Sequence, residues 1–255
     1  MVVTIITPSY NQGDYIEQTI KSVINQTYPH IEYFIYDGCS TDRTYNVLKK
    51  YAKHKRVAGI VMEKDNGQAD VIIKGFKRAR GEIVGWINSD DRLAPNIVEK
   101  SVDAFNKNEY ISITYGDIQF IDNQGRNIKK KIPYSSISKD YLLNTNYVVY
   151  QQGSFYRKKI VEQIGYLNKN LYYCMDLDLW LKLLDGYQAR YLQGTAGYFR
   201  LYKDTKTSTG GITFLFEIYN TLKKHGAKRM SRTKRQIIWY ILKTMVKQSI
   251  IKCRK

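Results

Sequence analysis

Ile83-Val84-Gly85-Trp86-Ile87-Asn88-Ser89-Asp90-Asp91 decides the fold: an apolar run of strand length stops abruptly at a polar turn carrying two carboxylates. Upstream the same alternation recurs three times. Gln68–Ala79 has helical spacing and follows a strand at Val57–Glu63. Asp42–Lys53 is the helix before that, with Ser40 or Thr41 as its cap, and it follows a strand at Tyr33–Tyr36 that ends on Asp37-Gly38. Asp14–Asn25 places Ile16, Ile20, Val23 and Ile24 on one helical face, after a β-branched strand at Val2–Thr7 and a turn at Pro8–Gly13. Downstream, Pro95 opens a helix carrying Ile97, Val98, Val102 and Phe105. Strand–helix alternation of this kind predicts an α/β fold with a doubly wound, mostly parallel, Rossmann-like sheet. Ligands bind beyond the carboxyl ends of such strands. Asp37, Asp65-Asn66 and Asp90-Asp91 all fall there.

The second half is less regular. Ile118–Ile128 reads as a hairpin through Asp122-Asn123-Gln124-Gly125, Gln151–Tyr156 as a returning strand and Asp178–Leu184 as a short apolar helix. Gln188–Leu192 and Gly197–Tyr202 read as two closing strands. The clearest compositional break is at Thr209-Gly210-Gly211. The expected organisation is therefore a domain over 1–211, with a ligand-binding half at 1–115 and a second half at 116–211, followed by a basic helical tail at 212–255.

Of 255 residues 43% are hydrophobic, enough for a substantial core. Cys39, Cys174 and Cys253 lie far apart, which disfavours a disulfide framework or zinc knuckle. His30, His54 and His225 are equally scattered, so a histidine-rich metal site or a Ser/His/Asp triad is disfavoured and the chemistry must rest on carboxylates. The N-terminus enters an apolar strand with no basic leader before it, which predicts a cytoplasmic protein. The net charge is +18, but twelve of the 41 lysines and arginines lie from Ile212 onward against one acid, Glu217. Basicity is thus mainly a property of the tail, and nucleic acid is not the expected partner.

Three groups of residues carry candidate chemistry. Asp90-Asp91 offers hard oxygen ligands for Mg²⁺ or Mn²⁺, with substrate phosphates completing the shell; an acidic pair at a turn also serves as a helix cap. Asp176 and Asp178 precede an apolar helix, where either is a cap or a general base for a hydroxyl nucleophile, a role worth about 10²–10⁴ in rate. Tyr10 and Asp37 stand at adjacent strand ends, where a ring stacks on a nucleobase and a carboxylate accepts its imide N–H. Gly38 lets a ligand approach the backbone.

Seven segments, in order over roughly residues 2–200, resemble glycosyltransferase family 2. They are Thr7–Gln12, Gln26–Pro29, Asp37–Asp42, Glu63–Gly67, Ala79–Ile83, Trp86–Asp91 and Asp176–Trp180. The resemblance implies a GT-A-type fold and an inverting, metal-assisted transfer from a nucleotide-diphosphate sugar, such as a UDP-sugar, to a saccharide or lipid-linked acceptor. By position it implies that Pro8, Tyr10, Asp37 and Asp65 hold the nucleotide. It makes Asp91 the first metal ligand, with Asp90 on the ribose or the metal, and Asp176 the base, with Asp178 as the alternative. Met175 stands where relatives carry Glu, and Arg92 where they often carry an acid or a small residue. Gln151–Ser154 falls where the family places part of its pocket, and Arg200, Tyr202 and Lys203 form either a diphosphate-neutralising loop or a solvated one.

In the tail, Ile237, Ile238, Ile241, Leu242 and Met245 share a helical face interrupted by lysines, a pattern suited to an anionic membrane surface, with a helix packed on the domain and its charges solvated as the alternative. The setting implied is surface-polysaccharide assembly at the inner face of a bacterial membrane. Two other classes compete. A nucleotidyltransferase would want a Gly-rich phosphate loop after the first strand, which Pro8–Gly13 lacks, and a basic RNA-binding module would want aromatics interleaved with the charge.

Overall fold

A computed structural model of the chain describes residues 1–203 and 205–253; the last two positions of the expected tail lie outside them. In the first half, β1 (Val3–Ser9), β2 (Ile31–Asp37), β3 (Val57–Met62) and β4 (Ile83–Trp86) alternate with α1 (Ile16–Ile24), α2 (Thr44–Tyr51) and α3 (Gln68–Arg78). Next come β5 (Arg92–Leu93), α4 (Ile97–Lys107), the hairpin β6 (Ile111–Ile121) and β7 (Asn127–Lys131), α5 (Lys139–Asn144), β8 (Phe155–Arg157) and α6 (Lys158–Gln163). The chain continues through α7 (Met175–Leu183), β9 (Gln188–Arg200), α8 (Lys206–Thr209), α9 (Gly211–Lys224) and α10 (Arg232–Cys253).

All nine strands form one sheet, ordered β3-β2-β1-β4-β8-β6-β9-β5, with β7 paired to β6. The first four run parallel, β8 is antiparallel to both its neighbours, and β6 and β9 are again parallel. The inner parallel strands β1, β2 and β4 read clearly in the sequence because they are buried on both faces, whereas the edge strand β3 is only half-buried. Along β1 and β2, Val3, Ile5, Tyr33 and Ile35 enter one core cluster, while Ile6, Phe34 and Tyr36 enter the other. Strand period 2 thus feeds two helical layers at once. On α1, Ile16, Ile20 and Val23 are buried as their spacing requires.

Three local expectations change. Neither Ser40 nor Thr41 caps α2; the Asp42 carboxylate accepts the Thr44 N–H instead, at 2.9 Å. The returning strand is short, because residues 151–154 form a turn before β8. The two closing strands are one, β9, whose pairing with β6 shifts register between Leu192 and Thr195 and again before Gly197. That irregularity, at Gln193-Gly194-Thr195, breaks the apolar pattern without ending the strand.

The tail helices lie against the domain. Ile218 and Leu222 of α9 and Ile237 and Ile241 of α10 are buried in the same cluster as Leu177, Leu179 and Trp180 of α7. Ile238, Leu242 and Met245, expected on that face, are instead 42, 57 and 49% exposed.

Candidate active site

The parallel strands end in register, Ser9 beside Asp37 and Asp37 beside Met62, while β4 flanks β1 on its other side. Strand order reverses between β1 and β4, so the loops after Ser9 and Trp86 form the crevice where such sheets take ligands.

Two loops are laced together at this edge. The Asn11 N–H donates to Ser40 Oγ at 2.8 Å, and Asn11 Oδ1 accepts the Thr41 N–H at 2.9 Å. The Gln12 and Gly13 N–H groups donate to Thr44 Oγ1 and Asp42 Oδ2. Asn11 and Cys39 both sit at positive φ, 52° and 63°, uncommon for non-glycine residues. The lacing leaves Pro8 half-buried and Tyr10 projecting, 61% exposed. Asp37 is buried, and its two oxygens accept from the Ser40 N–H and hydroxyl at 2.8 and 2.6 Å. A Cβ on Gly38 would stand 2.8 Å from Asp65 Oδ2 and 3.4 Å from the Tyr10 ring, so Tyr10, Gly38 and Asp65 are brought together. Asp65 is exposed, and its other oxygen accepts the Gly67 N–H at the start of α3.

The acidic turn separates its two carboxylates. Asp91 is fully buried. Its oxygens accept from the Arg200 N–H at 2.9 Å, Gln152 Nε2 at 3.0 Å and Asn88 Nδ2 at 3.3 Å. The Thr19 hydroxyl holds the turn, its one proton shared between the Asp91 and Ser89 carbonyls at 2.7 and 2.9 Å. Asp90 is only partly buried and faces Tyr202, whose hydroxyl donates to Oδ2 at 2.9 Å. Burial raises both carboxyls, and the Asp90 charge raises Asp91 further; hydrogen bonding by Tyr202 and the Arg200 charge offset part of the rise at Asp90.

Arg200 is neither in a solvated loop nor free for a diphosphate. It is completely buried, with its guanidinium on the carbonyls of Asp90, Asp122 and Asn123 and on Gln18 Oε1, over the Tyr15 ring. Gln151 and Gln152 are buried too: Gln151 donates to the Trp86 carbonyl while Gln152 reaches Asp91.

Asp176 and Asp178 part company on the first turn of α7. Asp178 is buried, 2.8 Å from both His225 Nε2 and Lys182 Nζ. Burial alone would raise its carboxyl, but these two partners outweigh burial and hold it below the usual range. Asp176 has no ion pair among the described residues, only the Leu177 N–H on Oδ1 at 2.8 Å. Burial pushes its carboxyl up to about 6, against a smaller opposing pull from Lys206. Its charge is felt at the hydroxyl of Tyr156, whose ring stacks 5.4 Å from Trp86 at the end of β4.

Some residues at the site carry no motif. Lys206 donates to Gln68 Oε1 and to the Tyr172 carbonyl, both at 3.0 Å, and Gln68 in turn donates to Asn88 beside the acidic turn. Glu217 of α9 accepts the N–H groups of Tyr172, Tyr173 and Cys174 at 3.1, 2.6 and 2.7 Å, just ahead of Asp176. The only signal in the sequence was that Glu217 is the lone acid of a basic tail.

Comparison with known proteins bears on the family and the fold. The family described as "Glycosyl transferase family 2" matches residues 4–165. The chain is 32% identical over 212 residues to the putative teichuronic acid biosynthesis glycosyltransferase TuaG of Bacillus subtilis, covering 81% of this chain and 82% of that one. It is 29% identical over 183 residues to a chondroitin synthase of Escherichia coli, 71% of this chain but 26% of that one. In fold it is similar to S. aureus TarS 1-349 in complex with UDP-GlcNAc, with a TM-score of 0.68 and 19% identity, over 96% of this chain and 72% of that one. It is also similar to the mannosyltransferase PcManGT of Pyrobaculum calidifontis in complex with GDP-Man and Mn2+, with a TM-score of 0.65 and 17% identity, over 99 and 75%.

Proposed function

This chain belongs to glycosyl transferase family 2, and from that premise we propose that it moves a sugar from a nucleotide-diphosphate donor, a UDP-sugar, to a saccharide or lipid-linked acceptor with inversion at the anomeric carbon. What supports the reading is the set of carboxylates at the strand ends and at the start of α7. Tyr10 and Asp65 converge on Gly38 beside Asp37, Asp90 is bonded by the Tyr202 phenol, and Asp176 has its carboxyl raised by burial.

Tyr10 offers a ring for the nucleobase, and the remaining lone pairs of Asp37 accept its imide N–H. Lys206 contributes positive charge at the cleft. Asp176 takes the proton of the acceptor hydroxyl, which attacks the anomeric carbon from the face opposite the departing diphosphate. One displacement inverts the centre and needs no covalent enzyme intermediate.

A divalent cation, Mn²⁺ or Mg²⁺, fits Asp90 better than Asp91. Burial raises the Asp90 carboxyl and the one side chain that bonds it is the Tyr202 phenol, whereas Asp91 is sealed by three donors. Among the described residues no cluster of three or more His, Cys, Asp or Glu forms a protein-only cage, so the donor's phosphates would complete the shell. Such an ion supplies charge stabilisation to the leaving diphosphate.

The names of the relatives support a place in polysaccharide assembly. The exposed apolar and basic face of α10 supports attachment to the inner, anionic face of a membrane, where an acceptor carried on a lipid would be found. No helix among the described residues is long and apolar enough to cross a membrane.

A thermal-shift panel of nucleotide sugars, with and without Mn²⁺ or Mg²⁺, tests the reading on the wild type and on Asp90→Ala. Metal-dependent stabilisation by one donor, lost in the variant, is expected. Indifference to every donor and metal would defeat the proposal.

A further inference from the structure

A second concavity, of about 360 Å³, opens where β7 leaves the sheet. It lies at the lower end of the range for small-molecule sites, about 300–1,000 Å³. Lys131, Tyr134, Tyr141, Asn146, Val148 and Tyr150 are among its lining. Residues 146–150 have no regular secondary structure but alternate as a strand does. Asn146, Val148 and Tyr150 line the groove, while Tyr147 and Val149 pack against the core. The same segment runs directly into Gln151 and Gln152, which bond the Trp86 carbonyl and the Asp91 carboxylate. The groove wall is therefore joined along the chain to the residues that hold the acidic turn.

The lining has a definite chemistry. The rings of Tyr134 and Tyr141 stack at 4.6 Å and 16°, and Tyr134 is 53% exposed. The Tyr115 hydroxyl, which donates to the Tyr134 carbonyl at 2.7 Å and accepts the Ile137 N–H at 3.3 Å, fixes the turn that presents this platform. Flat aromatic faces edged by hydroxyls suit the C–H face and ring oxygens of a pyranose. Charge narrows the class. Of the three lysines of β7, Lys130 pairs with Asp117 and Lys129 lies over the Phe120 ring. Lys131, at the groove, has no ionic partner among the described residues, and no acid is in the lining.

We propose that this groove holds an acidic saccharide, the acceptor of the transfer reaction, with a pyranose ring on the Tyr134–Tyr141 platform and its anionic group on Lys131. The inference rests on the glycosyltransferase reading and adds to it the charge of the acceptor. Calorimetric titration of the full chain with a glucuronate-containing tetrasaccharide, its carboxyl-reduced counterpart and UDP tests it. The acidic tetrasaccharide should bind at least fivefold tighter than the reduced one. Tyr134→Ala should weaken both at least fivefold, and Lys131→Gln should abolish the preference between them. UDP titrated into each variant reports that it is folded. Equal binding of the two tetrasaccharides, affinities untouched by both substitutions, or no saccharide binding by a chain that binds UDP would each overturn the proposal. Saccharide binding that depends on Tyr134 and Lys131, in a chain indifferent to UDP, would sustain the groove and defeat the donor reading instead.

Discussion

At position 91 a carboxylate accepts from one backbone N–H and two side-chain amides, whereas at position 90 a single phenol reaches a carboxylate that is only partly covered. Substitution should separate these roles. Asp91→Ala strands two buried donors, the Arg200 N–H and the Gln152 amide, each costing about 1–3 kcal/mol when unsatisfied, and a half-buried third at Asn88, partly offset by removing a buried charge. Its melting temperature should fall by several degrees even without ligand. Asp90→Ala should melt near the wild type yet lose metal-dependent stabilisation by the donor. A large ligand-free loss at 90 and none at 91 would reverse the assignment. Asp176 adds a pH prediction. With its carboxyl pushed up to about 6, the base is protonated below that pH, so kcat should climb as pH rises through about 6. Asp176→Asn should lower kcat about 10²–10⁴-fold and remove that limb. Stability moves the other way. The native state holds the Asp176 proton up to a higher pH than the unfolded chain, so this group's contribution declines as pH rises from about 4 through 6. Asp176→Asn should therefore gain melting temperature, relative to the wild type, at pH 7.5 more than at pH 4. That combination, more stable and inactive, marks a group kept for chemistry.

Helix α7 shows why spacing alone left two candidates for the base. Residues two apart on a helix point to nearly opposite sides, so Asp176 and Asp178 cannot both face the crevice. Only the neighbours of α7 decide which does. Lys182, one turn further along α7, and His225, at the C-terminal end of α9, occupy Asp178; the lysine can be read from its spacing, but the histidine is a partner only because α9 packs there. The same holds for Glu217, which ties residues 172–174 to α9 through three backbone N–H groups. Glu217→Ala should release that segment, lowering kcat at least tenfold with little change in donor KM. Glu217→Gln, which keeps one accepting oxygen, should recover part of the loss. Equal damage to kcat and KM in both variants would point to general unfolding instead. The inner strands of the parallel half were legible, because strands buried on both faces announce themselves as apolar runs. Arg200 was not, because a guanidinium wholly buried on carbonyls leaves no pattern that separates it from an exposed loop arginine.

Across the whole molecule, the sequence collects carboxylates at the strand ends of one edge and sets residues from 212 onward apart as a basic tail, for a membrane surface or for packing on the domain. Packing sets α9 against α7, the helix that carries Asp176, and leaves α10 with two different faces. Ile237 and Ile241 face the domain, and Lys234 is drawn inward onto the Ala227 carbonyl. Outward stand Ile238, Trp239, Leu242, Met245 and Val246, with Arg232, Arg235 and Lys243 among them. Lys243 lies 5.0 Å over the Trp239 ring. Exposed apolar side chains interleaved with cations gain little in water, but at an anionic bilayer each cation near the surface contributes about 1 kcal/mol and the apolar groups enter the acyl boundary. The two contributions are separable by salt. Lys243→Gln should weaken binding to phosphatidylserine vesicles about fivefold at low ionic strength and much less at high ionic strength, where screening already removes that term. Trp239→Ala should weaken it at both. Sedimentation with vesicles of pure phosphatidylcholine should recover little protein. Equal retention on both lipids, or no effect of either substitution, would make the outer face of α10 a protein contact rather than a membrane one, and would remove the reason to expect a lipid-carried acceptor.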